Sequence, residues 1–305
     1  MKTFENLDNV RLTKTFKDFL RWQRERSAVS KELTYSVPHC PNKEIDFLKE
    51  NRSESSLTWI GHATFLIQVG GLNILTDPVW SDRMGLQKRL AGPGIPLDHL
   101  PPIDIVVISH NHYDHLDFWT LSKLKGNPVC LVPQGLASLF KSKGLSRVVE
   151  LCWWEEKILE SVELVFVPAQ HWSKRGLWDT NASHWGGWLI KEKTASSFIY
   201  FVGDSGYFRG FREIGRKYPI DYMLAPIGAY APEWFMHIQH VTPEEAVQAF
   251  LDAKAEYFVP MHYDAFRLGD DTPYEAVTRL KAHWEKQNLD STGLKIMSLG
   301  ETLKF

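Results

Sequence analysis

The sequence predicts an α/β protein in which apolar strands alternate with helices and deliver functional side chains to one end of a sheet. Three observations carry that prediction. Ile105-Val106-Val107-Ile108 reads as a buried strand, and it runs straight into His110-Asn111-His112-Tyr113-Asp114-His115-Leu116-Asp117. Three further apolar strands repeat the design: Val162 to Pro168 leads to His171, Ser197 to Val202 to Asp204, and Tyr257 to Pro260 to His262. Helix signals lie between them. The clearest is Thr242-Pro243-Glu244-Glu245, where an N-cap, a proline at N1 and a glutamate at N3 start a helix through Ala253.

Imidazole nitrogens and carboxylate oxygens are the ligands that suit zinc and neighbouring first-row metals. If the backbone after the first strand stays extended, His110 and His112 project to one side. Asp114 and His115 then turn toward a second position, about 3.5–4 Å away in two-metal sites. His110, His112, Asp114, His115, His171, Asp204 and His262 make seven candidate ligands, enough for two divalent ions with Asp204 shared. An all-nitrogen-and-oxygen set favours Zn2+, with Mn2+ or Fe2+ also accommodated. A polar surface loop rich in histidine would not explain why the other strands end the same way.

The remaining elements follow in order. Leu12, Phe16, Phe19 and Leu20 have helical spacing, with Lys14, Lys17, Arg21, Arg24 and Arg26 on other faces. Arg11 to Lys31 holds seven basic and two acidic residues, a local charge of +5. Such a helix either packs its apolar stripe on the domain or lies on an anionic membrane surface. Residues 36–56 are a turn-rich connector in which His39 and Cys40 are structural, so residues 1–56 form an N-terminal helix and connector packed on a main domain of residues 57–305.

Thr64 to Val69 and Leu72 to Thr76 flank Gly70-Gly71, a hairpin signal. Asp77 ends the second of these strands, where a turn-capping role before Pro78 competes with one behind a ligand, and His62, at another strand end, is expected near the metals rather than on them. Arg83 to Pro102 is a long Gly- and Pro-rich loop that could line a cleft. Phe118 to Lys125 and Gln134 to Lys143 read as helices, the second stopped by Gly144; Val129 to Val132 and Val148 to Leu151 read as strands. Lys174 and Arg175 are the nearest basic residues after His171, suited to a phosphate or to a solvated loop. Arg209, Arg212, Arg216 and Lys217 suit an exposed helix face. Trp172, Trp178, Trp185, Trp188 and Trp234, with Phe235 and Met236, supply either core or a groove for acyl chains. Gln239 and His240 precede the capped helix and sit near the positive end of its dipole. Tyr274 to Gln287 reads as the last helix and Leu294 to Leu299 as the last strand.

Composition narrows the function. A chain of 305 residues with 44% apolar content can bury a large single core. A net charge of −2 gives no basic field for nucleic acid. Three cysteines without a paired spacing cannot form a closed disulfide framework. Met1 to Asn6 lacks an apolar signal region, and no apolar run is long enough to span a bilayer. The expectation is a cytoplasmic protein, with peripheral membrane contact through its N-terminal helix left open beside packing of that helix on the domain. Oligomeric state stays open, a homodimer included.

The motif HxHxDH, followed by separate His, Asp and His residues after strands, resembles the metallo-β-lactamase-fold hydrolases. Within them the chain resembles the N-acylphosphatidylethanolamine-hydrolysing phospholipase D group. The stretches Leu57 to Ile67, Thr76 to Ser81, His171 to Arg175, Asn181 to Trp188 and Gln239 to Ala246 carry that narrower likeness. The resemblance implies an αββα sandwich, two sheets packed between helices. It also implies one metal on His110, His112 and His171, another on Asp114, His115 and His262, and Asp204 bridging. Asp77 would support a ligating histidine from behind. Asp114 and His240 would be catalytic, His240 acting on the substrate phosphate or in proton transfer; Gln239, His62, Lys174 and Arg175 would surround the substrate. The implied reaction is attack on phosphorus by a hydroxide held between the metals, giving N-acylethanolamine and phosphatidic acid. Hydrolysis of a soluble ester, lactone or small phosphodiester is the alternative; a non-catalytic metal-binding protein is the outside case.

Overall fold

The computed structural model describes residues 3–11, 14–28, 31, 35–85 and 87–305. Two mixed sheets face one another. The first has seven strands in the spatial order Thr302–Lys304, Ser56–Gly61, Thr64–Val69, Leu72–Thr76, Ile105–Val107, Val129–Pro133 and Val148–Leu151. The second has six, in chain order: Glu156–Leu159, Val162–Val167, Gly187–Glu192, Phe198–Phe201, Ile220–Pro226 and Tyr257–Met261. Each sheet begins as an antiparallel meander and continues in parallel strands. The halves therefore share a plan that leaves no trace as a sequence repeat.

Strands that are apolar on both faces explain the layering. Trp59, Phe65, Ile67, Ile74 and Val107 point inward and share one buried cluster with Leu164, Trp188 and Ile190 of the second sheet, where Trp188 Nε1 donates to the Ile108 carbonyl at 2.9 Å. Their neighbours Ile60, Leu66, Leu75 and Val106 point outward, onto Leu116, Leu121 and Phe140. On the opposite side the helices Gly210–Lys217, Pro243–Ala253 and Pro273–Lys286 pack side by side and bury Phe211, Val247, Phe250, Leu280 and Trp284. The result is the αββα sandwich of the metallo-β-lactamase fold.

Local signals set the joints. Gly70 and Gly71 both take positive φ (56° and 75°), the backbone a two-residue hairpin needs. Thr242 Oγ1 accepts from the Glu245 amide at 3.2 Å while Glu245 Oε2 accepts from the Thr242 amide at 2.9 Å, closing the expected capping box.

Several expectations are corrected. The last strand is Thr302–Lys304, paired with Ser56 to Thr58, whereas Leu294 and Leu299 form only isolated bridges. The helix expected from Gln134 begins at Ala137, because Gly135 adopts φ 98° and cannot start it. The helix after the histidine motif stops at Lys123. The Arg83 to Pro102 stretch is not featureless: it holds a two-residue strand pair and a 3₁₀ turn at Leu97–His99.

The N-terminal helix spans Phe16–Ala28. Leu12 lies outside the described residues. The helix docks through Trp22, not through the predicted stripe: the Trp22 ring stacks on Phe235 at 5.0 Å and its Nε1 donates to Asp270 Oδ2 at 2.7 Å. Phe16 and Leu20 remain 73% and 51% exposed. Among the described residues no helix is long and apolar enough to cross a membrane. The later basic cluster is an exposed helix face, with Arg209 paired to Asp8 (2.7 Å) and Arg212 to Asp252 (3.1 Å).

Candidate metal centre

The histidine motif leaves the first sheet at Val107, and a network centred on Asp77 receives it. Asp77 Oδ1 accepts from the Ser109 amide at 2.7 Å and Oδ2 from the Ser109 hydroxyl at 2.5 Å. With its proton given to Asp77, the Ser109 oxygen accepts from His110 Nδ1 at 2.8 Å. His115 Nδ1 donates to Asp77 Oδ2 at 2.7 Å. Both histidines are thereby fixed with Nδ1 held from behind and Nε2 turned to the centre. His171 reaches the same state by donating Nδ1–H to the Gln239 carbonyl at 3.0 Å.

The backbone is bent to bring the other groups in. His62, Asp77 and His262 hold left-handed φ values of 54°, 33° and 65°, unusual for residues with side chains and characteristic of functional sites. Gly203, also left-handed, precedes Asp204; a Cβ there would sit 2.7 Å from the Ser109 Cβ, so only glycine fits.

Two groups of donors result. His110 Nε2 lies 2.8 Å from His112 Nδ1, and His171 Nε2 is 3.3 Å from that same atom. Asp114 Oδ2 lies 3.2 Å from His115 Nε2, 3.4 Å from His262 Nε2 and 3.0 Å from His62 Nε2. Asp204 stands between: its oxygens are 3.2 and 3.1 Å from His115 and His262, and 3.8 and 3.9 Å from His171 and His110. Where the nitrogens of His110, His112 and His171 converge, lone pairs repel, and a cation relieves that repulsion. His112 Nε2 and the Nδ1 atoms of His62, His240 and His262 are buried without hydrogen bonds among the described residues. The donor set fits divalent metal ions on chemistry and on geometry.

Electrostatics agree. Burial holds His112 neutral, with a pKa of about 4, and keeps His110 and His171 well below the ordinary imidazole value. Burial also acts on His262, but the Asp204 carboxylate and the hydrogen bonds to Asp114 and Asp204 outweigh it and lift His262 to about 9. His115 is raised likewise. Where the two carboxylates meet, the site demands positive charge, and protons supply it until a metal displaces them.

The residues around this core divide. His62 touches Asp114, and its amide is anchored by Asp264 Oδ1 at 2.7 Å. His240 is buried and neutral, depressed by burial to about 3, with Nδ1 3.9 Å from Asp204. Gln239 acts through its carbonyl; its side chain donates to the Met236 sulfur at 3.3 Å. Arg175 is neither a free phosphate holder nor a solvated loop residue. Its Nη1 donates to the Asn111 and Leu116 carbonyls at 3.0 and 2.8 Å and its guanidinium stacks 4.1 Å from the Tyr113 ring, so it braces the histidine loop. Lys174 stays beside a cavity. Trp185 and Trp188 are core, Trp178 is 91% exposed, and Trp172 packs 4.7 Å from His112.

Sequence reasoning missed Asn6. Its Oδ1 accepts from the His171 amide (3.0 Å) and from Trp185 Nε1 (2.9 Å), while Nδ2 donates to the His171 carbonyl (2.9 Å). No local pattern marks an asparagine that acts across so much chain.

Two cavities flank Trp172 and Gln239. One, about 490 Å³, has apolar walls from Trp22, Phe235, Met236 and Leu268, reaches His112, Asp204 and His240, and includes the partly exposed Phe19 and Tyr113. The other, about 530 Å³, lies between the N-terminal segment and the loop after His171.

Comparison with known proteins places this arrangement. Residues 72–263, more than half of the chain, match the beta-lactamase superfamily domain. The solved structure of a novel metallo hydrolase from the archaeon Ignicoccus hospitalis superposes with a TM-score of 0.63 at 23% identity, covering 83% of this chain and 99% of that one, a likeness of fold. With the metal-ligand cluster, this defines a metal-dependent hydrolase of the metallo-β-lactamase fold. An N-acyl-phosphatidylethanolamine-hydrolyzing phospholipase D of Caenorhabditis elegans is 35% identical over 95% of this chain and 87% of its own length. An uncharacterised protein of Mycobacterium tuberculosis is 39% identical over 82% of this chain and 69% of its own. The chain belongs to the N-acylphosphatidylethanolamine-hydrolysing phospholipase D family.

Proposed function

We propose that the protein is a phospholipase D-type phosphodiesterase that hydrolyses N-acylphosphatidylethanolamine to N-acylethanolamine and phosphatidic acid. The observation that carries this reading is an apolar cavity of about 490 Å³ whose inner end is the metal centre. A diester with long acyl chains needs both features in one place.

His110, His112 and His171 would hold one ion, Asp114, His115 and His262 the other, and Asp204 both; zinc suits this set. When bound, the ions supply Lewis acidity, which acidifies water and neutralises charge gathering on phosphate oxygens. The chain's own groups do the rest. Asp77 keeps His110 and His115 in the tautomers that present Nε2. Asp114, held by His62, keeps a carboxylate beside the reacting phosphate. His240, neutral and at the wall of the apolar cavity, offers one N–H to a phosphate oxygen and one bare nitrogen to a proton in transit. Trp172 and Phe235 exclude water from the chains.

Peripheral membrane contact belongs to the same reading. Phe16 and Leu20 are exposed beside the Phe19 end of the cavity, Lys17 and Arg24 are exposed on the same helix, and Leu177 and Trp178 project from the loop that Arg175 anchors.

One experiment tests both parts. Metal-quantified protein is given N-acylphosphatidylethanolamine vesicles beside a soluble chromogenic phosphodiester and a lactone, with products read by mass spectrometry. N-acylethanolamine release is expected, abolished by chelator and by His112→Ala. A Phe16→Ser/Leu20→Ser variant should lose most vesicle turnover and keep its rate on any soluble diester the protein cleaves. Turnover of soluble esters alone would overturn the lipid substrate; unaltered vesicle turnover by the double variant would remove the helix from the membrane.

A further inference from the structure

We propose that the second cavity, on the far side of Trp172 and Gln239 from the acyl-chain pocket, is a phosphate-binding chamber in which Lys14 is the principal anion ligand. The N-terminal segment builds it: Thr3, Asn6, Arg11 and Lys14 close a space of about 530 Å³ against His171 and Lys174. Arg11 is already paired with Glu5 at 3.3 Å and is largely exposed. Lys14 is different. Its Nζ is buried, has no hydrogen-bond partner among the described residues, and lies 4.1 Å from the centre of the Phe235 ring.

An ammonium removed from water without a counter-ion is costly, and an aromatic face returns only part of its hydration. Burial lowers its pKa to about 8, so at neutral pH it is a destabilised cation and not a neutral amine. Among the described residues no carboxylate pairs with it. What would satisfy it is an anion entering the chamber, and the position selects the kind. His171 is a wall of the chamber and a candidate metal ligand, so the chamber adjoins the place where phosphate chemistry occurs. The cavity's polar share, from Thr3, Thr180 and Asn181, offers donors to several oxygens. A phosphomonoester dianion has that charge and that many acceptors. It could be the headgroup of phosphatidic acid or free inorganic phosphate.

The inference deepens the proposed function but shares with it only the phosphate chemistry. A protein that bound phosphate through Lys14 yet left N-acylphosphatidylethanolamine intact would refute the lipid substrate and keep the chamber.

The test uses full-length, metal-loaded protein, as wild type, Lys14→Met and Lys14→Arg. Binding of inorganic phosphate and of short-chain phosphatidic acid below its micelle concentration is read by ³¹P line broadening, with metal content measured on each sample. Lys14→Met, which keeps the stem over Phe235, should weaken binding on the order of tenfold, the worth of one charge-assisted hydrogen bond. Lys14→Arg should restore most of it, with metal content equal in all three. Loss for both ligands means that the chamber takes any phosphate; loss for one alone names that one as the occupant. Wild-type affinity of Lys14→Met for both, or a loss of affinity that merely follows a loss of metal, would overturn the proposal.

Discussion

Asp77 shows how one side chain can set the protonation of two others. It accepts the hydrogen bond of His115 Nδ1–H directly and, through the Ser109 hydroxyl, fixes the proton of His110 on Nδ1, so both turn Nε2 to the centre. Asp77→Asn puts an N–H donor where His115 needs an acceptor. The variant should fold and bind metal on the order of 10- to 100-fold more weakly, the usual cost of losing such a support; metal content after dialysis against buffered zinc checks this, and unchanged retention would contradict it. The histidine and aspartate cluster itself was legible because its members follow four strands closely in sequence, His110 to His115 after Ile105–Val107 and His171, Asp204 and His262 after one strand each. Asn6 and Lys14 were not, because their roles arise only when the N-terminal segment folds back over His171. Arg175 was misread for a related reason: its partners are carbonyls, which no sequence pattern displays.

At the scale of elements, hydrophobic runs located the strands that matter for the site, and the capping box located the start of the Pro243–Ala253 helix. Edges were harder to see. Thr302–Lys304 is short and half polar, and it is a strand only because Ser56 to Thr58 offers it an open edge. Leu294 and Leu299 looked like strand residues because they are partly or fully buried, yet burial there comes from side-chain packing without a ladder. The outer helices are tied by Arg279, whose Nε and Nη2 reach the two Glu244 oxygens at 2.9 and 2.7 Å. Burial opposes ionisation of Glu244, but the Arg279 bonds hold its pKa below the usual carboxylate value. A depressed carboxylate pKa adds stability above the unfolded value near ~4.3 that is lost as pH falls through the folded value. Arg279→Met should therefore destabilise the protein by about 1 kcal/mol at pH 7, after discounting for solvent screening. The difference should vanish in acid. Denaturant titrations at several pH values measure it; a gap that grew as pH fell, or that stayed undiminished at pH ~2, would contradict the pairing.

For the molecule as a whole, the fold places the carboxyl ends of strands from both sheets at one edge, so that two half-sites share Asp204. The N-terminal segment then covers that edge, supplying Asn6 behind His171, Lys14 in one cavity and Phe19 in the other. A basic amphipathic helix read in isolation is a candidate membrane anchor. In the fold it is also a wall of the apolar cavity that reaches His112, Asp204 and His240. Composition could not reveal this, since a net charge of −2 averages the basic N-terminal segment with an otherwise acidic chain.

The central claim is that water attacks phosphorus and breaks the P–O bond on the ethanolamide side of a lipid diester. Turnover of N-acylphosphatidylethanolamine vesicles in ¹⁸O-labelled water tests it most directly, with both products weighed by mass spectrometry. The account predicts one heavy oxygen in the phosphate of phosphatidic acid and none in the N-acylethanolamine. Label in the ethanolamide hydroxyl, or release of neither product by fully metallated protein, would contradict it.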